Sequence, residues 1–107
     1  MNIAWSPHAE KLLDGIVLGI AEALSIDDGL AWESKLRDAT YKLADFPYLG
    51  TEIPIGCFQT IPENMDRLRQ IICDPYRIVY EPVGDEIHIL SIRHSRMLVA
   101  EGDTSWS

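Results

Sequence analysis

The sequence predicts an α+β domain: an N-terminal strand, a two-helix antiparallel hairpin, then a three-stranded antiparallel meander. Three observations predict it. Apolar residues recur at three- and four-residue steps through the first half of the chain, isoleucine, valine and tyrosine crowd into the last third, and a connection rich in proline and glycine separates the two. At 107 residues, 47% hydrophobic and 24% charged, the chain has material for one core, so residues 1–107 read as a single domain.

Each element follows from local chemistry. Asn2-Ile3-Ala4-Trp5 before Ser6-Pro7 reads as a strand running into a helix N-cap, with proline at the first helical position. Leu12, Leu13, Ile16, Val17, Ile20 and Leu24 then form one apolar stripe. Gly15 and Gly19 inside that helix are expected to mark the close approach of its neighbour. Ser25 to Gly29 reads as a turn and acidic cap. Beyond it Trp32, Leu36, Ala39, Leu43 and Phe46 give the second helix a seam that suits antiparallel packing, and Pro47 ends it.

Residues 47–64, with Pro47, Pro54, Pro62, Gly50 and Gly56, read mostly as loop, with room for a short strand around Ile55 to Thr60. Arg67 to Cys73, Tyr76 to Pro82 and Glu86 to His94 then read as strands, joined by turns at Asp74-Pro75 and Val83-Gly84-Asp85. Strict alternation puts Tyr76, Ile78 and Tyr80 opposite Arg77, Val79 and Glu81. On the last strand it puts His88, Leu90, Ile92 and His94 opposite Ile87, Ile89, Ser91 and Arg93. Both faces are part apolar, so one is expected beneath the helices and the other open or covered by a partner. The tail from about residue 101 shows no pairing pattern and is expected to fray.

Charge narrows the function. A formal net charge of -8 opposes non-specific attraction to a phosphate backbone. Residues 67–96 differ from the rest, holding five arginines against four acids. Arg69, Arg77 and Arg96 are expected to converge on the open face as a small cationic site, with Arg93 and His94 beside them; guanidinium forks suit phosphate or carboxylate recognition. The alternative is that Arg77 pairs with Glu81 or Asp74, or braces the sheet through backbone hydrogen bonds. His94 is the candidate proton-transfer group, since imidazoles change charge near neutral pH. Cys57 and Cys73 form neither a CxxC pair nor a disulfide framework and read as reduced thiols, and neither a metal nor a cofactor is expected. With no signal-peptide pattern at Met1 to Ser6 and no membrane-length apolar run, the expected location is the cytoplasm.

Trp5-Ser6-Pro7-His8-Ala9, Leu43 to Gly50, Arg69-Gln70, Pro75 to Tyr80 and Ile89 to Arg96 resemble, in order and spacing from Ile3 to about Leu98, the ParE branch of the ParE/RelE toxin superfamily. The resemblance implies the strand, hairpin and meander fold. It also implies a toxin of a type II toxin–antitoxin (plasmid stabilisation) module, neutralised by a cognate antitoxin, as a homodimer or in a heterotetramer with that antitoxin. ParE-like members poison DNA gyrase by binding, and Arg69, Arg77, Arg93, His94 and Arg96 would then contact the target. RelE-like members cleave messenger RNA on the ribosome, and in that alternative Arg77, Arg96 and His94 would be catalytic. The absence of lysine after Lys42 and of tyrosine after Tyr80, with the net charge of -8, favours the ParE-like branch.

Overall fold

The computed structural model describes residues 1–107. Strand β1 (Asn2–Trp5) leads into helix α1 (Pro7–Ala23) and helix α2 (Ile26–Tyr41), followed by a 3-10 turn at Lys42–Ala44. The sheet is completed by β2 (Thr51–Glu52), β3 (Arg69–Cys73), β4 (Tyr76–Val83) and β5 (Glu86–His94). Its order is β1-β5-β4-β3-β2, with β1 parallel to β5 and every other pair antiparallel. The predicted class and element order hold. The sheet gains one short strand, β2, where the sequence reads loop, whereas Ile55–Cys57 is a 3-10 turn rather than strand.

Helix α1 starts at the serine the sequence marks, whereas α2 starts earlier than read: residues 26–29, expected as turn, are already helical because Ser25 caps them. Ser6 accepts a hydrogen bond from the Ala9 amide at 3.0 Å, with Pro7 at the first helical position, and Ser25 accepts from the Asp28 amide at 3.0 Å. The close approach of the helices falls at Gly29 rather than at Gly15 or Gly19. A Cβ on Gly29 would lie 2.9 Å from the Val17 carbonyl oxygen, while Cβ atoms on Gly15 and Gly19 would meet open space. Arg37 ties the hairpin together by a two-pronged pair with Glu10 at 2.8 and 3.1 Å, its guanidinium 5.0 Å from the Trp5 ring. The hydrogen bonds that Arg37 donates to Glu10 push its pKa up, against burial. Phe46, read as part of the seam, is 65% exposed because the helix has already ended at Tyr41.

The sheet is apolar on both faces and both are covered. On one side Ala9, Leu13, Leu36 and Leu43 of the helical layer close on Ile78, Tyr80, Ile87, Ile89 and Ile92. On the other, Ile53 and Phe58 of the connection, Val99 of the tail and Leu68 close on Val79 and Leu90. The second face is therefore filled by the chain itself. Val99 pairs with Phe58 as an isolated bridge, its amide donating to Cys57 O at 2.7 Å and its carbonyl accepting from Gln59 N at 2.9 Å.

Strict alternation fails on β5 for one reason. Val79 pairs with Ser91 but Tyr80 pairs with Ile89, so Leu90 is an extra residue, a β-bulge. It lets Ile87 and Ile89 join Ile92 under the helices while Leu90 turns to the second face.

The tail does not fray. Glu101–Asp103 forms a 3-10 turn, Asp103 is 1% exposed, and Asn64 Nδ2 donates to Thr104 O at 2.8 Å. His8 N donates to Ser107 O at 2.7 Å, and the His88 and Trp106 rings lie 4.7 Å apart.

Candidate functional site

Strand register brings part of the predicted cationic set together and separates the rest. Arg77 of β4 stands directly across from Arg93 of β5, and both share a face with Val79 and Leu90. Arg96 follows in the turn after β5. Arg69 is elsewhere: it pairs with Tyr80, on the helix-covered face near the β2 edge. His94 pairs with Tyr76, also on that face, the two rings 6.4 Å apart. One nook holding Arg69, Arg77 and Arg96 is therefore not formed, because Arg69 stands beside Tyr80, three residues along β4 from Arg77, and strand residues an odd number apart point to opposite sides.

Two guanidiniums directly opposite each other repel, so each needs its own acceptors. Arg93 donates from Nε to Asp103 Oδ2 at 2.7 Å and from Nη2 to Asp103 Oδ1 at 3.1 Å. Arg77 donates to Gln70 Oε1 at 2.8 Å and Met97 O at 2.8 Å, with Cys57 Sγ at 3.7 Å. It thus braces the sheet through a side-chain amide and a backbone carbonyl; Glu81 instead accepts from Arg67 at 2.9 Å. Arg69 donates to Gly50 O from Nε at 3.1 Å and Nη2 at 2.6 Å and lies 5.3 Å from the Tyr48 ring. The Arg96 side chain makes no hydrogen bond or ion pair and is exposed, while its amide donates to His94 Nδ1 at 3.1 Å. Met97 and Leu98 beside it are about half exposed.

Sequence reasoning missed Asp103. Its carboxylate accepts from Arg93, from the Ala100 amide at 3.1 Å, and from His8 Nε2 at 2.8 Å. Burial acts to raise the Asp103 pKa, but the hydrogen bonds from Arg93, His8 and Ala100 outweigh it and hold the group below the ordinary carboxylate value. The signal was faint: one of two acids in a seven-residue tail, with nothing in the spacing to tie it to Arg93.

A second feature lies on the opposite edge of the sheet. Two adjoining hollows, about 330 and 500 Å³, run between α2 and β3 and share Ala39 and Lys42. The family model for "ParE toxin of type II toxin-antitoxin system, parDE" matches residues 3–99.

The chain belongs to the ParE toxin family. Among solved structures, a chain of the "Chromosomal ParDE TA system from P. aeruginosa" is similar over 88% of this chain and 95% of its own, with a TM-score of 0.70 at 20% sequence identity, a likeness of fold. No curated protein matches. As a ParE toxin this chain is one half of a type II toxin–antitoxin system, which implies an antitoxin partner. None of its helices is long and apolar enough to cross a membrane.

Proposed function

We propose that this ParE toxin arrests growth by binding DNA gyrase, without bond chemistry of its own, and that its cognate antitoxin neutralises it by occupying its surface. The observation that carries the proposal is the commitment of three of the four candidate guanidiniums to internal acceptors: Arg93 to Asp103, Arg77 to Gln70 and Met97, and Arg69 to Gly50. Phosphoryl-transfer catalysis by arginine requires donors aimed at the developing charge before the reaction begins. Here the same donors hold a sheet and a tail in place. The outward surface is the turn after β5, where the cation of Arg96 adjoins Met97, Leu98 and the edge of His94, a mixture suited to a protein surface. Arg77 and Arg93 support this target-binding surface from beneath.

The test is a supercoiling assay with purified gyrase. Addition of the toxin should inhibit supercoiling, and Arg96→Glu should weaken inhibition about fivefold or more with the melting temperature unchanged. Growth arrest with supercoiling intact would overturn the gyrase assignment. Ribosome-dependent cleavage of messenger RNA that is lost in His94→Ala would replace it with the nuclease reading.

A further inference from the structure

A third hollow, about 210 Å³, lies beside the start of β3 and is lined by Tyr48, Asp66, Arg67, Arg69 and Pro82. Three segments build it: the loop after α2 gives Tyr48, the run into β3 gives Asp66, Arg67 and Arg69, and β4 gives Pro82. Two guanidiniums lining one cavity repel unless something neutralises them. Arg67 is matched by Glu81, to which its Nε donates at 2.9 Å, and both its Nη groups are left without a protein acceptor.

Arg69 has no carboxylate partner at all. Its Nε and Nη2 donate to Gly50 O at 3.1 and 2.6 Å, and Nη2 also reaches Tyr48 O at 3.4 Å, while Nη1 has no acceptor. Glu52, its cross-strand neighbour on β2, makes no ion pair with it. Carbonyl oxygens thus fix this half-buried guanidinium in place without cancelling its charge, which is the preparation an anion site needs. The remaining lining is not that of a bare anion site. The Tyr48 ring, 71% exposed, has the Arg69 guanidinium 5.3 Å from its centre, a flat platform backed by a cation. Asp66 is exposed and makes no ion pair, so its carboxylate is an unused acceptor at the same hollow.

We infer that this hollow binds a nucleoside monophosphate, with the phosphate on the Nη groups of Arg67 and Nη1 of Arg69, the ribose hydroxyls on Asp66, and the base flat against Tyr48. Asp66 would repel a lone phosphate, whereas a sugar hydroxyl gives it a donor. Pockets that enclose a whole drug-sized ligand begin at about 300 Å³, so this one takes the phosphate and sugar and leaves the base outside on the exposed ring. A free mononucleotide fits better than a strand, because a net charge of -8 opposes every further phosphate. The inference stands apart from the gyrase reading and adds a small-molecule site to the toxin.

The experiment is calorimetric titration of the full-length chain with AMP, adenosine and inorganic phosphate. AMP should bind about tenfold or more tighter than either fragment and raise Tm, since it ties the Tyr48 loop to β3 and β4. Arg67→Gln, at a side chain 62% exposed, should weaken AMP about fivefold or more with the circular dichroism spectrum retained. Tyr48→Ala should weaken AMP about fivefold and leave inorganic phosphate unchanged. Asp66→Ala should weaken AMP yet tighten inorganic phosphate, a reversal of sign that a general loss of structure cannot produce. Inorganic phosphate held as tightly as AMP would show an adventitious ion only and overturn the inference. AMP that does not bind, or that binds Arg67→Gln and Tyr48→Ala as well as wild type, would overturn it too. So would a hexaribonucleotide that binds tighter than AMP, which would put a strand in place of the free nucleotide.

Discussion

Asp103→Asn isolates the contribution of the tail. The carboxylate is 1% exposed and accepts from four donors: Arg93 Nε at 2.7 Å, Arg93 Nη2 at 3.1 Å, His8 Nε2 at 2.8 Å and Ala100 N at 3.1 Å. Asparagine keeps one acceptor oxygen, loses the charge, and sets an amide donor against guanidinium or imidazole donors. Removing one partner of a fully buried ion pair costs about 3–5 kcal/mol. The Arg93 side chain is 26% exposed, so water can take up part of what it loses. An expected cost of about 2–3 kcal/mol follows from that relief. For a domain of this size it corresponds to a fall in Tm of roughly 10–20 °C. The assay is urea unfolding at neutral pH, followed by circular dichroism.

The acid limb gives an independent check. The folded Asp103 pKa lies below the unfolded one, so its stabilisation is fully present above the unfolded value, about 3.9, and is lost as pH falls through the folded value. The stability gap between wild type and Asp103→Asn should therefore be widest at neutral pH and close progressively below about pH 4. A cost under about 0.5 kcal/mol at pH 7, or a gap unchanged down the acid limb, would refute the assignment of Asp103 as the charged clamp of the second face.

Other substitutions probe separate joints. Gly50→Ala sets a Cβ against Gln70 O and 2.7 Å from the buried Tyr80 ring and hydroxyl; the loss should be about 2–3 kcal/mol, read as a fall in Tm. Tyr80→Phe removes a hydroxyl that accepts from Gly50 N at 3.0 Å and donates to Pro47 O at 2.8 Å, at a cost of about 1–3 kcal/mol in chemical denaturation. Arg37→Ala, which removes a part-exposed pair with Glu10 and Glu33, should cost only about 1 kcal/mol, less in high salt, in the same assay. Leu13→Ala, at a fully buried position between the helices and the sheet, should cost about 3 kcal/mol.

The elements whose chemistry is local were legible in the sequence. Ser6-Pro7 announces the start of α1 through capping, which needs only neighbouring residues. Gly84, with φ of 58°, announces the turn between β4 and β5, because few other residues adopt that backbone. What was not legible depends on partners far along the chain. The Leu90 bulge inverts the facing of half of β5, and a period of two carries no mark of an inserted residue. The cover on the second face draws Ile53, Phe58 and Val99 from separate stretches, each too short to show a pattern. For the candidate site, the cross-strand pairing of Arg77 with Arg93 was within reach of the sequence, but the acceptors that tie them down were not, since Gln70, Met97 and Asp103 lie on three different segments.

The place of β1 has a consequence for synthesis. Asn2 to Trp5 pair with Glu86 to Ile89, and Ser6 N donates to Ile89 O at 3.0 Å. During synthesis β1 therefore stays unzipped until β5 has been made. The sheet, and with it the surface it carries, closes only after its central strands are complete.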